Sequence, residues 1–175
     1  HKIVGELLHA KNFYIAFMSE DGQNLEFPYT ADERDVARNT RAVGKGLTEY
    51  VIRTARTALL NRRDIDALEQ EGEVTVVGTK SVSWMGVPLL IAGKVTGVIA
   101  LQSYSHQHHY AKSDEELVSF VALHIANALE RRLASENLKN AYAELEQRVQ
   151  ERTHELARAN NELRAQIFVR ERMEL

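Results

Sequence analysis

Seven histidines, 25 acidic residues and no cysteine bound the chemistry open to this 175-residue chain. His106, His108 and His109 form a cluster, and three imidazoles at such spacing are able to hold a metal. No carboxylate stands near them before Asp114, so they read as a solvated loop. His124 is the histidine set inside a clear apolar pattern, and it reads as a core or interface side chain with its hydrogen bonds satisfied. The absence of cysteine removes disulfides, thiolate metal sites, a cysteine nucleophile and a thioether-linked chromophore. There is no Gly-rich phosphate loop, Gly-x-Ser-x-Gly elbow or His-Glu-x-x-His pair. Carboxylates are spread over loops and helix faces, and no two stand out as an acid/base couple. The sequence therefore assigns no catalytic residue and no metal site.

Composition agrees with a folded, non-nucleic-acid-binding chain. Lys and Arg number 22, for a formal net charge of -3, while 44% of residues are hydrophobic and 27% charged. Disordered and collagen-like chains do not look like this, and a nucleic-acid binder wants a basic face. No apolar run approaches the roughly 18 residues that span a membrane. Cysteine usage fits a cytoplasmic location. Both ends of the chain fall inside helical patterns, which is expected of a piece of a longer protein.

These side chains must be positioned by a small set of elements. Ile3, Val4, Leu7 and Leu8 have helical spacing. Asn12 to Met18 is aromatic and β-favouring, Asp21-Gly22 makes a turn, and Leu25 to Tyr29 is its hairpin partner. Pro28 cannot donate to a ladder, which places it at an edge or strand end. Residues 30–45 are polar and read as a loop. Leu47, Tyr50, Val51 and Thr54 predict a short helix after Gly46, and Ala58 to Leu60 a brief strand. Asp64 is the expected cap of a second short helix that stops near Gly72. Trp84 to Ile91 and Val95 to Tyr104 form the clearest hairpin, joined at Ala92-Gly93-Lys94. Antiparallel strands between terminal helices indicate an α+β domain with the helices on one face of the sheet. The irregular middle segment must cover the other face, and such a cover is a natural place for a small-molecule pocket.

Nothing from Asp114 to Leu175 breaks a helix. Ser113 is the expected N-cap, with Glu116 completing a capping box. A helix of about 60 residues would be about 90 Å long at 1.5 Å per residue, so its first part is expected to pack on the core and its second part to leave it. Leu117, Phe120, Val121, His124, Ile125, Ala128 and Leu129 predict the stripe that covers the sheet. Past Leu133 the stripe narrows to a heptad seam. Tyr142, Val149, Leu156 and Leu163 take position a, and Leu138, Leu145 and Ala159 position d. Arg152 and Gln166 are polar at d, and Arg170 is polar at a. A parallel homodimer is the predicted assembly, with Leu138, Tyr142, Leu145, Val149, Leu156 and Leu163 at its interface. The domains are accordingly 1–132 and 133–175.

NFYIAF with its acidic turn, GKGLTEYVIRTART, SWMGVPLLIAGKVTGVIALQSY and YAKSDEELVSFVALHIANALERR together resemble the GAF domain of bacterial signalling proteins, over His1 to Arg132. ELEQRVQERTHELARANNELRAQI is similar to the coiled-coil connectors between sensor and output domains of such proteins. The resemblance implies a six-stranded antiparallel sheet with helices on one side and a ligand cavity on the other, side-by-side dimers, and an output domain downstream. That output would be a diguanylate cyclase (GGDEF) or, next, a histidine kinase. His154-Glu155-Leu156 resembles the phospho-accepting box of histidine kinases, but Ala157-Arg158-Ala159 follows where Arg-Thr-Pro is usual, and no ATP-binding segment follows. The Asn-Lys-Phe-Asp-Glu set of cyclic-nucleotide-binding GAF domains has no counterpart here, bilin attachment lacks its cysteine, and haem would need a pocket-facing histidine. No cofactor is assigned.

Strand alternation then predicts the pocket. Phe13, Ile15 and Phe17 should meet the helices. Tyr14, Ala16, Ala100 and Gln102 should point toward the cavity, with Tyr29, Glu49 and Trp84 near its wall. Two readings stay open: a regulatory sensor whose unknown small-molecule ligand sets helix packing, and a structural dimerisation module in which the same residues fill a second core around no ligand. A GAF-fold reductase of oxidised methionine would need the cysteines that are missing.

Overall fold

The computed structural model describes residues 11–35 and 38–173, with side chains through Ile167. The helix expected at Ile3 to Leu8 lies outside the described residues. The strands are β1 (Asn12–Met18), β2 (Asn24–Ala31), β3 (Arg41–Ala42), β4 (Ala58–Asn61), β5 (Ser83–Ile91) and β6 (Lys94–Ser103). The helices are α1 (Leu47–Thr54), α2 (Arg62–Gln70) and α3 (Lys112–Met173). The strands form a six-stranded sheet in the order β3-β2-β1-β6-β5-β4, and neighbours pair antiparallel throughout. The α+β fold is as expected. The chain falls into two compact units, His1–Glu130 and Arg131–Leu175. No helix among the described residues is long and apolar enough to cross a membrane.

The two sheet faces carry different cores. Phe13, Met85, Val87, Leu89, Ile99 and Leu101 meet Val118, Ala122 and Ala126 of α3. Each large side chain buried in this way contributes about 1.5–3 kcal/mol. The stripe on α3 is centred differently from the predicted one. Leu117, Val121 and Ile125 pack at its margins, whereas Phe120 is 60% exposed and His124 also faces solvent, its ring 4.3 Å from that of Phe120. Small alanines take the centre because they let the helix approach the sheet closely, and the bulkier residues are left astride or outside. The opposite face packs Tyr14, Ala16, Trp84, Val98 and Ala100 against Val51 of α1 and Ile65 of α2.

Three further local expectations are corrected. The segment 30–45 is not all loop, because β2 runs to Ala31 and Arg41–Ala42 pairs with Asn24–Leu25 as an edge strand. The cap of α2 is Asn61, whose side chain accepts from Arg63 N and Asp64 N while Asp64 reaches back to the Asn61 N–H. Asp64 is thus the third helical residue of a capping box rather than the cap. Helix α3 begins at Lys112, one residue before the predicted cap. Asp114 Oδ2 accepts the Ala111 N–H at 2.7 Å, so the first turn closes on Ala111 and Ser113 is already helical.

The β5–β6 hairpin turns through Ala92 and Gly93, both left-handed at φ 49° and 77°. Two positive φ values match the twist of the flanking strands, but an alanine is strained there. Ala92→Gly is expected to raise stability by about 0.5–1 kcal/mol, read as a higher urea midpoint with an unchanged slope.

Candidate functional site

The second face of the sheet is roofed by irregular chain: the segment after β2, the β3–α1 junction and a strap over residues 71–82. Irregular backbone over a sheet needs polar partners, and here charged side chains supply them. Asp32 accepts the N–H groups of Arg34 and Asp35 at 2.9 and 3.0 Å, the Tyr104 hydroxyl at 3.0 Å, and the Gln102 side-chain amide. Burial opposes its charge, but these donors outweigh burial and hold the carboxyl below its ordinary range. Tyr104 is pushed the other way, first by burial and then by its bond to Asp32 and the nearby carboxylates, so it remains a neutral donor. Asp35 ties the same segment to the strap by accepting from Thr79 N at 3.1 Å and Thr79 Oγ1 at 2.7 Å. Arg38 lies over the Tyr14 ring, 4.2 Å from its centroid.

A second charged pair anchors α1. Glu49, 4% exposed, takes both arms of the Arg41 guanidinium, with Nη2 at 3.0 Å from Oε2, and the Gly44 N–H at 2.9 Å. Burial works against the carboxylate, yet Arg41 and the backbone donor prevail and lower its pKa. This arrangement connects β3, the junction and the first turn of α1 in one contact.

Between roof and sheet lies a cavity of about 20 Å³, close to the room one water molecule needs. Tyr14, Trp84 and Gln102 line it from the sheet, Leu47 and Thr48 from α1, Val76, Thr79 and Ser81 from the strap, and Arg38 and Arg41 from the roof. The Tyr14 hydroxyl and Thr48 Oγ1 are 2.9 Å apart. Trp84 can lie flat here because Gly86 follows it on the same face. A Cβ at Gly86 would sit 2.2 Å from the indole.

Of the predicted pocket residues, Tyr14, Trp84 and Gln102 reach the cavity. Ala16 and Ala100 are fully buried in the core and do not line it. Glu49 stands behind the wall, on Arg41. Tyr29 is on the other face, and its prediction is corrected. The β1–β2 register shifts between Ile15 and Phe17, so Phe27 and Pro28 both stand opposite Ala16. Such a bulge reverses alternation. Phe27 therefore packs on Tyr14, and Tyr29 packs on Phe13 with ring centroids 5.7 Å apart. Asp32, Asp35, Arg38, Arg41 and Thr79 were missed. A dense run of mixed charge resembles solvated loop, and the arginines at 38 and 41 are its only hint in the sequence.

Among the described residues no group of three or more His, Asp or Glu could hold a metal. His106, His108 and His109 are exposed, as is His154.

The family model for the GAF domain matches residues 2–129. Among solved structures, a methyl-accepting chemotaxis protein, residues 122 to 287, is similar at 14% identity and TM-score 0.62, covering 73% of this chain and 82% of that one. The GAF domain of an Acinetobacter phosphoenolpyruvate-protein phosphotransferase is similar at 16% identity and TM-score 0.59, over 76% and 79%. A type II free methionine-R-sulfoxide reductase from Thermoplasma acidophilum is similar at 16% and 0.57, over 72% and 84%. Among curated proteins, none matches this sequence.

Because Glu49 titrates below the ordinary value of about 4.3, its contribution to stability is complete above that pH and is lost as pH falls through the folded value. Glu49→Gln leaves a guanidinium without its counter-charge and is expected to cost about 2–3 kcal/mol at pH 7. Urea unfolding at pH 7 and pH 4 checks both statements, since the variant should lose less stability than the parent between the two.

Proposed function

Because this chain belongs to the GAF family, a family of regulatory and sensory modules of signalling proteins, we propose that it couples the cavity beneath its irregular roof to an output domain through a parallel coiled-coil homodimer of residues 133–175. One observation carries the reading. Leu138, Tyr142, Leu145, Val149, Leu156 and Leu163 are 56–71% exposed in the single chain, at heptad spacing on one helix. An apolar seam of that length left in water favours a partner, and a second copy offers the same seam in register. Charged residues beside it form local pairs, such as Arg148 with Glu144, which leaves the apolar seam residues to a partner helix.

The pocket of this module is formed by Tyr14, Trp84 and Gln102 with Arg38 and Arg41. A diguanylate cyclase is the proposed output domain and a histidine kinase the next; a cytoplasmic location goes with either. Polar residues at d, Arg152 and Gln166, reduce the energy gap between two packings of a helix pair, which suits a switch. A methionine sulfoxide reductase activity has no cysteine to support it. The second reading is a structural dimerisation module, and the small cavity volume favours it.

The chain has no cysteine, so an introduced one reports on assembly without interference. Val149→Cys is expected to form a disulfide-linked dimer within minutes of mild oxidation, because a parallel in-register seam sets residue 149 against itself. Light scattering should give twice the chain mass for the parent and the single mass for Leu145→Asp/Leu156→Asp. A parent that stays monomeric at about 100 µM defeats the dimer. For coupling, Arg152→Leu with Gln166→Leu in the whole signalling protein should lock its output. An unchanged response leaves only the structural reading.

A further inference from the structure

Among the described residues, Arg38 is a largely buried charge with an unsatisfied donor. Its side chain is 15% exposed, and its ion-pair partners Asp32 and Asp35 stand 3.8 and 3.7 Å from Nη2, beyond hydrogen-bond reach. The carboxylates are engaged elsewhere, Asp32 by two backbone N–H groups with Gln102 and Tyr104, and Asp35 by Thr79. Arg38 Nε is buried and donates to no partner among the described residues. A buried donor of this kind is costly, and the chemistry that relieves it is an acceptor oxygen.

Charge decides which acceptor. Arg38 and Arg41 are the charged residues lining the cavity, and both are already paired with carboxylates behind the wall, Asp32 and Asp35 for Arg38 and Glu49 for Arg41. A further anion would have to compete with these carboxylates for the arginines, whereas an uncharged carbonyl or amide needs only the open Nε–H. Tyr14, Trp84 and Leu47 provide apolar walls for the rest of such a molecule. The cavity of about 20 Å³ admits little beyond one oxygen atom's surroundings, so a wall must yield. The strap is one of the walls without regular secondary structure, and Thr79 is its tie to Asp35.

We propose that the Arg38 Nε–H is the anchor for the carbonyl or amide oxygen of a small uncharged ligand, and that the Asp35–Thr79 contact is the latch that releases the strap to admit it. The inference rests on the cavity being the sensor pocket of the preceding section. It is tested on the whole 15N-labelled chain with acetamide as probe and acetate at matched ionic strength as control. The readouts are the Arg38 Nε–Hε resonance, identified by its loss in Arg38→Lys, and the indole N–H of Trp84, the single tryptophan.

Acetamide should shift both resonances saturably, and acetate should give less than a tenth of the effect. Arg38→Lys keeps the positive charge but lacks Nε, and it should weaken acetamide binding at least tenfold by the Trp84 signal. Thr79→Val should tighten it several-fold. Acetate binding as well as acetamide overturns the ligand class. A Trp84 signal that saturates equally in Arg38→Lys overturns the anchor, and unchanged affinity in Thr79→Val overturns the latch. No saturable response in any variant removes the site altogether. The dimer mass and the Val149→Cys cross-link do not depend on Arg38, so failure here is distinguishable from failure of the sensor assembly.

Discussion

Residue alternation along the two central strands separates what holds this sheet together from what it can bind. β1 and β6 pair from Asn12–Gln102 to Phe17–Gly97. Phe13, Ile15, Ile99 and Leu101 must then face one way, and Tyr14, Ala16, Val98, Ala100 and Gln102 the other. A slip of one residue would exchange the two sets. The first set is large and hydrocarbon, and a helix presenting Ala122 and Ala126 seals it. The second set mixes small side chains with polar tips. It leaves space that apolar packing alone cannot close, and it obliges the covering chain to bring its own charges.

Those charges are where the roof gets its order. Arg41 and Glu49 connect an edge strand of two residues to the first turn of α1. Asp32 joins the segment after β2 to Gln102 and Tyr104 at the end of β6, and Asp35 joins it to the strap. Charged hydrogen bonds at partly buried positions are stronger than those in water and costlier to leave incomplete. Tyr104 follows the last residue of β6 and opens the connection that leads to α3 at Lys112.

Similarity to solved GAF-fold structures at 14–16% identity shows how little of this architecture depends on particular residues. Here the sheet and its cover are built on alternation of large and small side chains, a two-residue hairpin turn and an alanine-centred helix. The chemistry around the cavity is a different matter, because it is set by individual charged residues on irregular chain. Fold and site therefore follow separate rules, and function has to be argued from the site.

What the sequence determined alone was whatever repeats with a period. The β5–β6 hairpin, the α+β plan, the bulky face of β1, the short helix after Gly46 and the uninterrupted α3 all follow from periods of two and 3.6 and from the placement of glycine and proline, while six strands in the sheet were implied only by the GAF resemblance. Tyr14, Trp84 and Gln102 were legible at the cavity for the same reason. Tyr29 was not, because a single extra residue at Phe27-Pro28 reverses alternation and leaves no periodic trace. Asp32, Asp35, Arg38 and Arg41 were not legible either. In the linear chain they are a charged run like any solvated loop, and only the folded sheet brings their partners, Gln102, Tyr104, Thr79 and Glu49, within reach. Periodicity is a local property carried by every residue of an element, whereas a polar contact between distant segments exists only once the backbone has closed around it.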